Sequence, residues 1–402
     1  MNTRLQAARL ARSVAFVAAV AFAGCRGDGD GAASRGATGS GWLGVAEALG
    51  GSADDARGFA RALVPPTLQF PRDHGAHPDF RSEWWYVTAN LADEAGARFG
   101  VQLVFFRQAL VPPRADRATN PGSLAATQTI LAHAAVTDAD GRRFFADERL
   151  ARAAAGLAGV RGPGPGEPFA VHCAEWSATA LPGGDGFLPL RLLANGGDFA
   201  FQLQVDPGKP LVLQGDRGLS QKSDEPGNAS IYYSMPRLPI AGTITVAGAV
   251  HRVRGEAWLD REWSTSALGR DQVGWDWFSL QLDDGTELMW YRLRRRDGSI
   301  DPCSRGSFVG HDGVLTPLLP GEVEALPAGA WTAADGQATY PARWRLRGSG
   351  ATPLDLEVEP LLADQELRVL VRYWEGAVTV RGTRGGAPVR GRGYLEMTGY
   401  TR

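Results

Sequence analysis

The sequence predicts an all-β protein. From Leu68 onward, short runs rich in Val, Leu, Phe, Trp and Tyr are separated by Gly, Pro, Asp or Asn at intervals of roughly ten residues. No sustained helical period of hydrophobic residues occurs after residue 70. Regular short strands with turn residues between them favour a sandwich or a barrel over an α/β fold.

These runs define the predicted strands. Each combines β-branched or aromatic residues with a turn residue at one or both ends. In chain order the strands cover residues 84–91, 99–108, 128–137, 199–205, 253–259, 275–282, 287–294, 354–358, 367–373 and 389–396. The preceding segment, residues 42–64, fits either a short amphipathic helix or an irregular chain.

Two aromatic hairpins suggest an internal duplication. The first carries Trp85 before its turn and Phe105 after it, and the second carries Trp277 before its turn and Trp290 after it. We therefore predict two β domains, residues 65–245 and residues 246–402. The alternative is a chance recurrence of aromatic hairpins in a chain that has 12 tryptophans.

The amino-terminal segment resembles a bacterial lipoprotein signal. Three arginines precede an apolar run over residues 14–23, which is about half the ~20 residues that a spanning helix needs. The pattern predicts a signal peptide over residues 1–24, a lipid-modified Cys25 and a flexible tether to residue 64. The protein would then be anchored to a membrane of the bacterial cell envelope and face the periplasm. The alternative is an ordinary secretory signal with a chance cysteine.

The composition argues against several classes of function. A net charge of −2 gives no electrostatic basis for binding nucleic acid. No dinucleotide fingerprint, Walker sequence or nucleophile elbow is present, so no cofactor is predicted. His74 and His77 lie in a loop and would need a third ligand to hold zinc, so no metal site is predicted. Cys173 and Cys303 are weak evidence for a disulfide.

Residues 73–107 predict a ligand pocket. Glu83 directly precedes Trp84 and Trp85, and Arg107 follows two phenylalanines. A surface loop does not need so many aromatic residues, and an ordinary core strand does not need the flanking charges. The mixture indicates a hairpin that lines an apolar cavity holding a few charges.

Residues 255–264 carry the strongest candidate for a catalytic acid. In an extended strand, alternation puts Trp258, Asp260 and Glu262 on one face and Arg261 and Trp263 on the other. An acid beside a tryptophan in a dry cavity would have its pKa raised by desolvation and could donate a proton. The alternative is that the two acids pair with Arg261 or another arginine at a strand end.

Residues 275–282 predict a second cavity wall. Trp275, Trp277, Ser279 and Gln281 share one face of this strand, and two indoles with two hydrogen-bonding groups suit a binding surface. Asp276 lies on the opposite, apolar face, where it either caps the start of the strand or is a buried acid. We favour a structural role for Asp276.

Four more residues complete the predicted site. Of the adjacent Tyr232 and Tyr233, one should point inward, where its hydroxyl can orient a ligand or an acid, although either could be a core tyrosine. His133 has apolar neighbours on both sides, which is typical of a core histidine and also compatible with a pocket. Tyr291 belongs to the second aromatic hairpin. The predicted catalytic residues are Asp260, Glu262 and Tyr232, and the predicted binding residues are Glu83, Trp84, Trp85, Arg107, His133, Tyr233, Trp258, Trp263, Trp275, Trp277, Gln281 and Tyr291.

These motifs resemble the AttH/CrtC-like family, which includes the carotenoid 1,2-hydratases. The resemblance rests on residues 73–91, 99–107, 132–138, 232–238, 258–264, 275–282, 364–367, 373–376 and 393–400. It covers nearly all of the chain after residue 66, and its most specific strings are Glu-Trp-Trp and Asp-Arg-Glu-Trp-Ser. It implies two lipocalin-like antiparallel β-barrels that meet across a ligand site.

The resemblance also implies a chemistry. In the hydratase branch an aromatic-x-Asp element holds the proton donor, and Trp258-Leu259-Asp260 matches it, whereas the upstream His-x-Trp element has no counterpart in residues 231–234. We expect a hydro-lyase that hydrates an isolated C=C bond of an isoprenoid, a polyene or another lipid-like molecule. The alternative is a non-catalytic carrier of a hydrophobic ligand that works with an ABC-type export system.

Overall fold

The computed structural model of the chain describes residues 56–113, 126–265, 268–349 and 353–401. Cys25, the signal segment and most of the tether lie outside the described residues. The described residues form 23 strands and a single 3-10 turn at Arg72–His74, so the all-β prediction is confirmed. Residues 56–64, the described part of the segment before the strands, are irregular.

Thirteen strands form the first antiparallel sheet. They are β1 Ser82–Asp93, β2 Arg98–Ala109, β3 Gln128–Asp138, β4 Arg143–Arg152, β5 Ala158–Arg161, β6 Ala170–Cys173, β7 Trp176–Ala180, β8 Leu190–Asn195, β9 Phe199–Val205, β10 Val212–Leu213, β11 Leu219–Gln221, β12 Ala229–Val246 and β13 Ala249–Ser264. Their order is β4-β3-β2-β1-β13-β12-β9-β8-β7-β6-β5, with β10 and β11 paired to β12.

Ten strands form the second antiparallel sheet. They are β14 Gln272–Leu282, β15 Glu287–Arg295, β16 Arg305–Val309, β17 Leu315–Leu318, β18 Val323–Thr332, β19 Thr339–Gly348, β20 Leu354–Pro360, β21 Glu366–Arg368, β22 Arg372–Arg384 and β23 Ala387–Met397. Their order is β17-β16-β15-β14-β23-β22-β20-β19-β18, with β21 paired to β22.

Both sheets repeat one strand order. In each sheet, the first strand of a four-stranded meander pairs with the last strand of that sheet, and this last strand pairs with a long neighbour. Beyond that neighbour the path continues through five strands in the first sheet and three in the second. The shared order supports the duplication inferred from the hairpins. The predicted boundary at residue 245 needs correction, because β12 and β13 form one hairpin of the first sheet. The change of sheet lies instead between Ser264 and Gln272.

Nine of the ten predicted strands lie inside strands of the structure. The exception is residues 367–373, where the chain bends between β21 and β22. The hydrophobic residues there do not form one continuous strand, because the chain turns back on itself and β21 pairs with β22. The apolar side chains of this hairpin pack in a separate cluster. Val369, Val371 and Tyr373 belong to that cluster.

The first sheet curls so that its own strands enclose a packed core. On one side, the Cys173 Sγ of β6 lies 3.3 Å from the Ile130 carbonyl of β3. A small cavity of about 10 Å³ lies among the side chains of this interior. The interior of the first sheet is otherwise packed with its own apolar residues.

The two sheets pack against each other through β1, β2 and β12 on one side and β14, β22 and β23 on the other. Gly100 allows a close approach, because a Cβ at this position would lie 2.7 Å from the Ala377 Cβ and from the Tyr394 hydroxyl. Polar side chains also cross the junction. The Asn90 amide donates to the Gly393 carbonyl at 3.0 Å, and the Gln281 amide donates to the Ala257 carbonyl at 3.0 Å.

Candidate functional site

A cavity lies between the two sheets. The volume of this cavity is about 110 Å³. Strand alternation on β13 directs Asp260 and Glu262 toward it, as the sequence predicted. The register aligns these acids with neighbours on β1 and β12 in two rows, Tyr86-Asp260-Ser234 and Trp84-Glu262-Tyr232.

Asp260 is a buried acid that neutral groups hold in place. Its carboxylate accepts hydrogen bonds from the Tyr232 hydroxyl at 2.7 Å, the Ser234 hydroxyl at 2.6 Å and the Trp258 indole N–H at 2.7 Å. Burial raises the pKa of Asp260 to about 7, although these three hydrogen bonds oppose the rise. Arg261, the partner that the structural alternative offered, instead pairs with Glu83 at 2.7 Å.

Glu262 lies in a different electrostatic environment, because it has a cationic partner. The Lys222 ammonium is 2.9 Å from its Oε1, and the Ser230 hydroxyl donates to the same oxygen. Burial acts to lower the pKa of Lys222, but the charge and hydrogen bond of Glu262 together with Tyr291 more than offset it, so the pKa is raised overall. Two carboxyls one row apart on β13 therefore differ: Asp260 has a pKa near neutrality, and Glu262 is balanced by a lysine.

The second sheet contributes two further acids. Glu396 on β23 pairs with Trp277 on β14 and with Glu375 on β22, so the three side chains form one row. The Trp275 indole donates to Glu396 at 3.1 Å. Burial raises the pKa of Glu396 to about 7, and the charges of Glu262 and Asp260 add to the rise. Because β23 and β13 hold corresponding positions in the two sheets, Glu396 faces the cavity from the strand that matches the Asp260 strand.

Glu375 connects the two sheets. It accepts hydrogen bonds from the Tyr86 hydroxyl and, at 2.7 Å, from the Gln102 amide, both of which belong to the first sheet. Burial, together with the charge of Glu396, raises the pKa of Glu375 well above its usual range. Its role in this arrangement is to fix one sheet against the other.

His133 lines the cavity as a neutral imidazole. Its Nδ1 is 2.8 Å from the Tyr373 hydroxyl, another contact between the sheets. Burial lowers the pKa of His133 to about 3. Among the described residues, its Nε2 has no hydrogen-bond partner, since the nearest acid, Glu148, is 3.8 Å away.

The structure brings eight of the predicted site residues into the cavity wall. They are Asp260, Glu262, Tyr232, Trp84, His133, Trp275, Trp277 and Tyr291. Trp258 stands behind this wall, where its N–H fixes Asp260 and its ring meets the Trp277 ring edge-on with centroids 6.3 Å apart. Its role is to position the acid, and its ring face is not among the surfaces that a ligand would meet.

Glu83, Arg107 and Trp85 do not line the cavity, in contrast to the prediction. Glu83 is buried between the Arg107 guanidinium at 2.8 Å and the Arg261 guanidinium at 2.7 Å. Burial acts to raise the pKa of Glu83, but Arg261 and its other partners hold it well below its usual range. The Trp85 ring lies under the Arg261 guanidinium at 4.1 Å. These residues form a structural ion cluster on the opposite face of β1.

Tyr233, Trp263 and Gln281 also lie outside the cavity wall. The Tyr233 hydroxyl is 2.6 Å from His74 Nδ1, and the Trp263 ring stacks on His77 with centroids 3.7 Å apart. Tyr233 and Trp263 therefore belong to the core of the first sheet. The side-chain amide of Gln281 donates hydrogen bonds to two backbone carbonyls of the first sheet. Of the adjacent tyrosines, only Tyr232 faces the cavity.

Asp276 is a buried acid with a structural role. Its Oδ2 lies 2.6 Å from Arg292 Nε and 3.2 Å from Arg294 Nε, and its Oδ1 accepts from the Tyr400 hydroxyl at 2.7 Å. Asp276 is therefore a buried acid and does not cap the strand. Its role is structural, because its carboxylate pairs with two arginines.

Sequence reasoning missed a dozen lining residues. They are Tyr86, Phe106, Leu131, Lys222, Ser230, Ser264, Leu268, Leu293, Val371, Tyr373, Glu375 and Glu396. Alternation could have found Tyr86, which shares a strand face with Trp84. The two glutamates stand in strings that carry the family resemblance, Tyr-Trp-Glu-Gly and Gly-Tyr-Leu-Glu, where the acids follow aromatics as Asp260 does.

Other kinds of site find no support in the described part of the chain. It contains no cluster of three His, Cys, Asp or Glu side chains suited to a metal ion. Cys173 is a buried free thiol and Cys303 a half-buried one. Within the same residues, no helix has the length and hydrophobicity to cross a membrane.

Comparisons with known proteins agree with this architecture. A family model described as AttH-like matches residues 61–400. A crystal structure of a candidate AttH protein from Nitrosomonas europaea shares 36% identity with a TM-score of 0.73, over 85% of this chain and 100% of that one. No curated protein matches the chain.

Two more distant structures share the fold. Kievitone hydratase from Nectria haematococca is 17% identical with a TM-score of 0.62, over 85% of this chain and 96% of that one. CghA with Sch210972 is 14% identical with a TM-score of 0.50, over 86% and 97%. With the two antiparallel sheets, these likenesses confirm the lipocalin-like fold that the resemblance implied.

Proposed function

The chain belongs to the AttH-like family, and from that premise we propose that it is a hydro-lyase that hydrates an isolated C=C bond of an isoprenoid, polyene or other lipid-like molecule. One observation carries the proposal. Asp260 is a carboxyl in an aromatic cavity, it is held by three neutral donors, and burial raises its pKa to about 7. Such a group is partly protonated at neutral pH and can give its proton to a substrate.

The proposed reaction begins with proton transfer from Asp260 to one alkene carbon. A new C–H bond forms, Asp260 becomes a carboxylate, and the other carbon becomes a cation. The faces of Trp277, Tyr232 and Tyr86 stabilise that positive charge by roughly 0.5–2 kcal/mol each. Tyr232 also ties the acid to the second sheet, because its hydroxyl donates to Asp260 and accepts the Trp277 N–H at 3.2 Å.

Water completes the reaction. Its oxygen bonds to the cationic carbon, and Glu262, which pairs with Lys222, accepts the proton that the water releases. Solvent then returns one proton to Asp260 and removes one from Glu262, so that the net change is addition of one water to the double bond. Tyr233, the neighbouring tyrosine, lies in the core of the first sheet and takes no part in this step.

Mass spectrometry of products tests this proposal. The full chain, purified in mild detergent, is incubated with lycopene and with farnesol in H₂¹⁸O, and an alcohol with one added labelled oxygen is the expected product. Asp260→Asn should abolish it. Asp138→Asn is a matched control. Asp138 is a buried strand aspartate that does not line the cavity, and its carboxylate lies 2.6 Å from the Arg143 guanidinium. No labelled product from the wild-type chain with either compound counts against hydration of such substrates.

A carrier without catalysis is the second candidate, and the largely apolar, aromatic lining of the cavity favours it. In that case Asp260 serves only as a hydrogen-bonding group, and Asp260→Asn leaves transfer of the ligand between membranes unchanged. We also propose that the protein is an envelope lipoprotein that faces the periplasm and that, as a carrier, it works with an ABC-type export system. The support for both is the amino-terminal signal pattern and the apolar cavity.

A further inference from the structure

The two lysines of the chain, Lys209 and Lys222, lie in contrasting environments. The Lys209 ammonium donates to Glu287 at 2.7 Å, to the Gly285 carbonyl at 2.7 Å and to the Gly310 carbonyl at 2.9 Å. An ammonium has three N–H donors, so those of Lys209 are all used. Lys209 is a structural cation.

The ammonium of Lys222, in contrast, has N–H donors that no described residue accepts. Among the described residues, its ammonium meets one oxygen, the Glu262 Oε1 at 2.9 Å. Its other close neighbours are the ring faces of Tyr291 at 4.5 Å and Tyr232 at 5.3 Å, which attract a cation but accept no ordinary hydrogen bond. The side chain is 14% exposed and lines the cavity. A ligand oxygen is therefore the natural partner for its remaining N–H groups.

The cavity wall is polarised along β13. Ser264 and Glu262 come at the end of the strand, and Ser230 and Lys222 lie beside them. Away from this group, the lining from β2 and β3 includes the apolar Phe106 and Leu131, with His133 as its polar member. A ligand that fits both regions has a polar head and an apolar body.

The charges of the cavity favour a neutral head group. Glu262 already balances Lys222, and three further carboxyls, Asp260, Glu375 and Glu396, line the same space. A ligand carboxylate would add negative charge beside these acids, which is costly where water is largely excluded. A hydroxyl or carbonyl oxygen accepts the Lys222 donors and adds no charge.

We infer that Lys222 binds the head-group oxygen of the substrate, and that the substrate is an isoprenoid alcohol or ketone and not a pure hydrocarbon. This inference rests on the proposed function.

Binding of three probes to the full chain tests the inference. Farnesol, the hydrocarbon farnesene and farnesoic acid share one apolar body, and each is titrated while tryptophan fluorescence is followed. Farnesol should bind about tenfold or more tightly than farnesene, because it gains a hydrogen bond to a charged donor. Lys222→Met should erase that preference without weakening farnesene binding.

A second variant guards against misfolding. Lys222→Met leaves Glu262 buried without its cation, whereas Lys222→Met combined with Glu262→Gln removes both charges and keeps the shapes. The preference for farnesol should be lost in the double variant as well. Lysine labelled with ¹³C at Cε gives one signal from each of the two lysines, and farnesol should shift the Lys222 signal while the Lys209 signal serves as an internal reference.

The outcomes separate the two proposals. If farnesol and farnesene bind equally well, or if the preference survives in both variants, Lys222 does not read a head group and the inference fails while the proposed function stands. Tighter binding of farnesoic acid than of farnesol overturns the choice of a neutral head. If the folded protein binds none of the three probes, the inference fails together with the proposed isoprenoid class of substrate.

Discussion

Asparagine at position 260 separates a catalytic acid from a structural one. In Asp260→Asn the carbonyl oxygen can still accept the Trp258 N–H, and the new amide can donate to the Tyr232 hydroxyl, which rotates to accept it. The variant thus keeps the shape of the wild-type side chain and the hydrogen bonds from Ser234 and Trp258, while the hydrogen bond with Tyr232 reverses direction. It lacks only the proton that the proposed reaction transfers.

The structure gives the expected change in stability. Burial raises the pKa of Asp260 from 3.8 to about 7 in the folded protein. The folded state therefore holds its proton where the unfolded state has lost it, so the free energy of unfolding falls as the pH rises between about 4 and 7 and stays lower above that window. The full loss is about 4 kcal/mol. Asparagine does not titrate, so the stability of Asp260→Asn relative to wild type should increase across the same window.

Three measurements on one preparation complete the test. Turnover should fall by ~10²-fold or more, as expected for loss of a general acid, while farnesol affinity stays near the wild-type value. Urea unfolding at pH 5 and pH 8 should show the relative gain in stability at the higher pH. Unchanged turnover would remove Asp260 from the mechanism and favour the carrier. A variant that is less stable relative to wild type at pH 8 than at pH 5 would refute the reasoning about its burial.

Three further perturbations test other parts of the molecule. Glu83→Gln leaves Arg107 and Arg261 without their buried carboxylate and should cost about 3–5 kcal/mol in urea unfolding; a loss below 1 kcal/mol, on the order of a surface pair, would contradict this role. Gly100→Ala places a methyl group against the second sheet and should cost about 1–3 kcal/mol, visible as a lower melting temperature, with Gly164→Ala, which meets no neighbour and has no positive φ, as the reference for the glycine change itself. Cys25→Ser should release the protein from membranes on cell fractionation, and unaltered partitioning would rule out the lipid anchor.

Residue patterns on single strands predicted which side chains share a face. Along β13, alternation placed Asp260 and Glu262 together and Arg261 on the other face, as the structure has them. A strand cannot direct Trp84 and Trp85 into one cavity, because successive side chains point to opposite faces of the sheet.

The sequence by itself determined the all-β class, most of the strands, the repeated hairpin and the face of β13 that carries the acids. All of these depend on local periods, which a single strand already expresses. The tertiary structure alone decided which apolar face meets the other sheet, because each central strand buries both of its faces, one in its own core and one at the junction. For that reason Lys222, Glu375 and Glu396 entered the site only through the packing of the two sheets.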